Sequence, residues 1–373
     1  MVPGDRWRST ALMAAAAGLV LEPLVGGPVF LAVVALSRPQ RTSMVPGPAL
    51  VTAAILLVVA SLTATTATEW LLGIGLAAFV PLVSVWSARS RSGDAVAVTI
   101  GLALGITVHV GAALLVSPML PARGLSPHAN VLGALAALAA PSVVAVTLRA
   151  SRTPSWWFAT VVLTVATVAT GSRAALLALL AGVTLVVAEW RLARPTAERA
   201  MRCSALCVTL AIVVSLSLVA SWVWVRQPTL GDALGLTGRA MLWGVAIEAI
   251  AERPVLGHGP GAWTRVAQGF EPSVDPRRFP HSHSGYLELA LTYGAVGVSV
   301  VVTFLVSVYL ALLRGAARLM SAAARATLLA FAVLNLVDAF VVDGRFLAIV
   351  ILVAGAAWGA GRPGDAPSAD RLA

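Results

Sequence analysis

Residues 281–312 read "HSHSGYLELALTYGAVGVSVVVTFLVSVYLAL". After the first few positions this run is almost wholly apolar. It is long enough to cross a hydrocarbon core of about 30 Å as one helix. Similar apolar runs recur along the chain. The polypeptide has 373 residues, of which 59% are hydrophobic and only 11% charged, with a mean hydropathy of +0.90. That composition excludes an ordinary soluble domain. We mark spans near 10–36, 47–66, 70–87, 96–117, 127–148, 155–170, 173–190, 203–225, 284–312, 326–343 and 346–361. Each is expected to be a helix, because lipid offers no partner for exposed backbone groups. The expectation is one all-α polytopic membrane domain over 1–373, with eleven or twelve transmembrane helices. One large loop, 226–283, stands outside the spans.

Every basic residue is arginine, and the net charge is +10. In a soluble protein this would suggest nucleic acid. Here the arginines sit mostly in short loops between spans, where topology accounts for them. One side holds fifteen, from Arg38, Arg41, Arg89 and Arg91 through to Arg362 and Arg371; the other holds Arg123, Arg173 and Arg345. The richer side is read as cytoplasmic, with the C-terminus there and the loop outside. Eleven spans then put the N-terminus outside, against the preference of Arg6 and Arg8. The first apolar region is interrupted by "LEPLVGGP". If it forms two short segments, twelve crossings and an inside N-terminus follow. Glu22 in that interruption is either interfacial or part of a discontinuous helix. Residues 1–8 and the "STALMAAAAGLVL" after them faintly resemble a signal peptide, but no small-residue cleavage site follows, so this stretch is read as the first span. Cys203 and Cys207 share one span at a spacing unsuited to a disulfide.

Within the loop, Met241, Leu242, Val245, Ala249 and Ile250 fall on one face of an amphipathic helix that Pro254 stops. "GHGPGAW", 257–263, is a Gly/Pro turn, and no strand precedes it to make it a nucleotide loop. Arg173 opens one span on the outer side, Arg239 opens the loop helix, and His281 and His283 open the span quoted above. Arginine forks onto phosphate oxygens and histidine titrates near neutrality, so together they suit an anionic substrate with a proton to move. Each also has a plain reading: snorkelling, a helix-surface charge, or interfacial decoration. An H-x-H pair is also a zinc pattern, yet the sequence offers no further ligand at useful spacing except distant His258, so no metal is expected. Asn335 and Asp338 are expected on one face of the span 326–343, with Asp343 and Arg345 at its outer end. Their readings are function or a buried helix–helix hydrogen bond. Trp222, Trp224, Trp243 and Trp263 are an interfacial belt or sugar-stacking platforms.

Four segments, in order, resemble the O-antigen ligase family. "LSPHANVLGALAALAAP" (125–141) resembles its span start, although Ala129 stands where the family has proline. "GSRAALLALL" resembles its Ser-Arg span start. "GRAMLWGVAIEAIAERPVLGHGPGAW" resembles its loop helix and Gly/Pro turn, with His258 where a small or apolar residue is usual. His283-Ser284, nine residues, Gly294-Ala295-Val296-Gly297 resembles its His signature. The resemblance covers roughly 125–300. It implies an outer-face glycosyltransferase of the plasma membrane that takes a glycan from a polyprenyl pyrophosphate carrier. It implies that Arg173 and Arg239 hold the donor pyrophosphate and that His283 accepts or orients the acceptor hydroxyl's proton, with inversion and without a cofactor. His281, Tyr286, Glu288, Asn130 and Asp338 are acceptor or support candidates. Glu288 either orients a histidine, binds acceptor sugar, or simply favours the helix dipole. The partners implied are the lipid-linked donor, a glycan or lipid acceptor, and membrane lipids, with no nucleic acid. Ligase and polymerase of this family stay open, as does a transporter or flippase of a lipid-linked or anionic solute. A non-catalytic scaffold would not need these three residues on one side.

Overall fold

The structure is a computed structural model, and it describes residues 3–21, 32, 46–63, 86, 90, 94–116, 129–149, 154–192, 237–270, 279–314, 318–342 and 344–359. The expected spans 70–87 (apart from Trp86) and 203–225, the interruption at 22–27, and Pro127, His128, Cys203, Cys207, Trp222, Trp224 and Asp343 lie outside the described residues.

The described residues are helical, with no strand among them. In chain order the helices are α1 (Pro3–Leu21), α2 (Pro46–Thr63), α3 (Asp94–Val116), α4 (Ala129–Arg149), α5 (Pro154–Ala169) and α6 (Arg173–Leu192). There follow α7 (Thr237–Glu252), α8 (Trp263–Phe270), α9 (Gly285–Leu313), α10 (Arg318–Leu334), a 3-10 turn (Phe340–Val342) and α11 (Gly344–Gly359). Four of them are long and apolar enough to cross a membrane: 94–112, 129–149, 173–191 and 285–313. Large apolar side chains face outward along them and their neighbours, including Leu62, Phe158, Leu177 and Leu310. In water such a surface would be costly; against lipid it is the favoured arrangement.

α4 lies at the centre, buried from Leu132 to Leu148, and packs on α3, α5, α6 and α10. Its run of alanines lets neighbouring backbones come close, as small residues do in membrane interfaces. α1 and α3 run parallel. Arg8 grips Asp94 at one end, with Nη2 to Oδ2 at 2.7 Å and Nε to Oδ1 at 3.2 Å, and His109 Nε2 donates to Val20 O at the other, at 2.9 Å. Between these ends Gly101 and Gly105 bring α3 against Met13, Ala16 and Ala17. This is a small-residue seam of the G-x-x-x-G kind.

The span expected at 326–343 is displaced. α10 covers Arg318–Leu334, and two side chains explain the shift. Arg325, read as a loop arginine, is buried inside the helix; it pairs with Glu189 of α6 and donates to Leu312 O. A paired and hydrogen-bonded guanidinium is tolerated where a bare one is not. At the other end Asn335 takes over the backbone's hydrogen bonds: its Nδ2 donates to Phe331 O and its Oδ1 accepts from Val341 N. Asn335 and Asp338 therefore close the helix instead of sharing a face within it.

α9 is broken at Gly294, where φ is 63° and ψ is −165°. The stretch 254–259 fills the break. Ala295 N donates to Pro254 O at 2.8 Å and Val296 N to Val255 O at 3.2 Å. In return His258 N donates to Leu291 O at 2.7 Å and Gly259 N to Thr292 O at 3.0 Å. Backbone groups freed by the break thus find partners, which apolar surroundings demand. The expected amphipathic loop helix is α7, but its buried face is Leu242, Val245, Ala246 and Ala249, packed on Trp263, Ala267 and Leu291. Met241 is exposed. Spacing of i, i+3, i+4 and i+7 puts Ala246, not Met241, on the contact stripe.

Candidate active site

The mouth of α9 is built by a short loop. Ser284 has an extended backbone and its hydroxyl accepts from Leu287 N, so it caps the helix. Ser282 N donates to Glu288 Oε2 at 2.9 Å, and Ser282 Oγ donates to Ser284 O at 3.1 Å. Gly285 N is received by both Asn335 O and Asp338 O. Between these ties His283 takes a left-handed backbone, with φ of 56°. Such a conformation costs about 1–3 kcal/mol outside glycine and persists only where surroundings enforce it. Trp243 of α7 adds a further tie, donating from Nε1 to His283 O at 3.3 Å.

Both histidines face Asp338. His281 Nε2 lies 3.7 Å and His283 Nδ1 3.4 Å from Asp338 Oδ1. His283 Nδ1 is buried and makes no well-aligned hydrogen bond there, so it lies close to the carboxylate without a good hydrogen bond. His283 N donates to His281 Nδ1 at 3.2 Å. A neutral imidazole carries one N–H, so His281 is assigned the Nε2–H tautomer, directed at Asp338. The rings meet edge to face, with centroids 4.4 Å apart. Asn130 Nδ2 donates to the other oxygen, Asp338 Oδ2, over a long 3.4 Å, and Ala339 N donates to Oδ1. Burial pushes the Asp338 carboxyl up, but the two histidines and the Ala339 amide outweigh it and hold the group below its ordinary value.

The other candidates are placed around this centre. Glu288 is buried, and its hydrogen bond is to the Ser282 amide rather than to a histidine ring. Tyr286 is half-buried, and its hydroxyl donates to Ala332 O at 3.0 Å. Arg173 is the first residue of α6, after a Thr170–Gly171–Ser172 turn in which Ser172 N meets Thr170 Oγ1. That turn packs on Gly133, one helical turn beyond Asn130. Arg239 begins α7, one turn before Trp243. Among the described residues neither Arg173 nor Arg239 has a hydrogen-bond or ion-pair partner, and both are half-buried. The structure brings His281, His283, Asp338 and Asn130 into direct contact. Arg173 and Arg239 are not among these contacts; Trp243, one turn after Arg239, bonds the His283 carbonyl, and the turn before Arg173 packs on Gly133.

Asp338 also supplies what the sequence lacked beside the H-x-H pair. One ligand atom each from His281, His283 and Asp338 falls within 4.8 Å of the others. His258 is no part of this; its Nε2 meets Ala249 O at 2.7 Å and ties α7 to the turn. Ser282 escaped sequence reasoning, and Asn335 was expected on a helix face rather than at the helix end; both act by bonding backbone groups. Trp263 is buried and donates to Phe279 O, which removes it from both the belt and the stacking reading.

Residues 158–302 match the family model described as O-antigen ligase. No curated protein matches the chain. Arg173, Arg239, the inserted turn and the His283 signature all lie inside the matched stretch, which covers less than half of the chain and supports its assignment to the O-antigen ligase family.

Proposed function

We propose that the protein transfers a glycan from a polyprenyl pyrophosphate carrier to an acceptor hydroxyl at the outer face of the plasma membrane. The observation that carries this reading is His283, held in a left-handed conformation with Nδ1 turned toward Asp338. With Nδ1 occupied in this way, Nε2 is the nitrogen left for the acceptor. The acceptor oxygen attacks the anomeric carbon from the side opposite the pyrophosphate, and its proton passes to His283 Nε2. The anomeric carbon–oxygen bond to the carrier breaks, and its electron pair leaves on the pyrophosphate. Arg173 and Arg239 meet that charge, a role guanidiniums fill without a metal ion. Asp338 stabilises the imidazolium formed at His283, as a carboxylate does in other His–Asp pairs. A single displacement inverts the anomeric configuration.

Placement at helix mouths suits a donor whose tail lies in the bilayer and whose pyrophosphate lies at headgroup level. A break in a membrane helix, as at Gly294, is also a transporter feature. Here the turn 254–259 fills it, which favours a fixed scaffold over a moving gate.

The test is release of polyprenyl pyrophosphate from a lipid-linked oligosaccharide by the full chain in nanodiscs with EDTA. His283→Ala is expected to lose about 10²–10⁴-fold, and Arg173→Ala or Arg239→Ala about 10²–10³-fold each. The product's size distribution separates single transfer from polymerisation. Release that survives all three substitutions would overturn the assignment of these residues.

A further inference from the structure

The cluster at the mouth of α9 has the makings of a metal site. His281 Nε2 and His283 Nδ1 share one oxygen, Asp338 Oδ1, at 3.7 and 3.4 Å. Ligand atoms on a tetrahedral zinc ion, with bonds of about 2.0–2.2 Å, stand roughly 3.3–3.5 Å apart. Two separations are already near that value. The third, no more than 4.8 Å, closes by rotation of imidazoles whose side chains are 28% and 25% exposed.

We propose that His281, His283 and Asp338 bind Zn²⁺, and that the bound ion inhibits the enzyme. The donor set selects the metal. Two imidazoles and one carboxylate suit a borderline first-row dication, whereas Mg²⁺ and Ca²⁺ want several oxygens. Asn130 steadies the carboxylate by holding Oδ2, the kind of outer contact that orients a ligand. Binding carries a cost. The N–H on His281 must move from Nε2 to Nδ1, which gives up the long bond from His283 N.

The inhibition follows from tautomer chemistry and rests on the transfer reading given above. Zinc on His283 Nδ1 leaves the ring's N–H on Nε2. That nitrogen is then unable to accept the acceptor's proton.

The experiment titrates tag-free, chelator-treated full-length protein in detergent with Zn²⁺ against a chromophoric zinc indicator. Wild type is expected to take up one ion per chain. Asp338→Asn, His281→Ala and His283→Ala are each expected to weaken uptake about tenfold or more. Co²⁺ added to wild type gives a second measurement that needs no variant: intense visible bands of a low-coordinate nitrogen and oxygen site, abolished by Zn²⁺. No stoichiometric uptake, uptake indifferent to all three substitutions, or only the weak bands of six-coordinate Co²⁺ would each overturn the site, and would leave the transfer reading standing. Zinc that binds as expected yet leaves carrier release intact would overturn the inhibition and count against His283 as the base.

Discussion

Glu288 and Ser282 are joined across the His283 backbone: the Ser282 amide donates to Glu288 Oε2 at 2.9 Å, and both residues are buried. The carboxylate thus holds the loop whose strain sets the imidazole's direction. Glu288→Ala leaves the Ser282 N–H buried without a partner, at about 1–3 kcal/mol. Glu288→Gln keeps an acceptor oxygen. The alanine variant is expected to melt earlier and to lose turnover, with the glutamine variant recovering most of both. A glutamine variant whose KM rises while kcat holds would instead favour contact between Glu288 and acceptor sugar.

Gly294 is the one position where α9 needs a positive φ, and a Cβ there would sit 2.2 Å from Val255 O. Gly294→Ala is therefore strained twice, by conformation and by collision with backbone that has no freedom to yield. Destabilisation of about 1–3 kcal/mol or more is expected, read as a lower melting temperature in detergent. A melting curve like that of wild type would mean the turn 254–259 does not sit in the break.

Asp338 is held below its ordinary value, so its folded form binds a proton less readily than the unfolded chain. The sign follows: the stability it contributes is present above the unfolded value of about 3.9, and is lost as pH falls through the lower folded one. Asp338→Asn is expected to flatten the acid side of the stability profile. It is also expected to lower kcat more than it raises KM, because the partner of the imidazolium is gone. Equal acid sensitivity in both proteins would remove this role from Asp338.

The parallel pairing of α1 with α3 bears on topology. Arg8 and Asp94 meet at one end, so the N-terminus lies on the same side as Asp94. Arg89 and Arg91 precede Asp94, and this arginine-rich side is the one read as cytoplasmic. Single cysteines placed near residue 4 and residue 92 of a cysteine-free variant are expected to label from the same side. Labelling from opposite sides would restore the eleven-crossing reading. Arg8→Ala is expected to lower the melting temperature, since it removes the two-pronged guanidinium contact from the buried Asp94.

Much of the bundle was legible in the sequence because lipid leaves the chain few options. The spans expected at 127–148, 155–170, 173–190 and 284–312 coincide closely with α4, α5, α6 and α9. Where apolarity was compensated rather than plain, the reading slipped. Arg325 looked like loop because its partner, Glu189, is 136 residues away. Asp338 was flagged as an intramembrane acid, yet its meeting with His281 and His283 depends on Asn335 ending α10 early. No local periodicity carries that information. The His283 signature was visible as spacing, but its glycines gained a physical reason only from the turn that occupies the break.

The mutual backbone bonding of 254–259 and 291–296 has a consequence for anyone who recombines related enzymes to alter glycan choice. Neither stretch is a self-sufficient module. A chimera with a junction between them would join one parent's turn to the other parent's broken helix, and small mismatches in glycine placement would leave amides stranded in an apolar setting. Junctions placed before Thr237 and after Gly297 keep the two halves of this joint from a single parent.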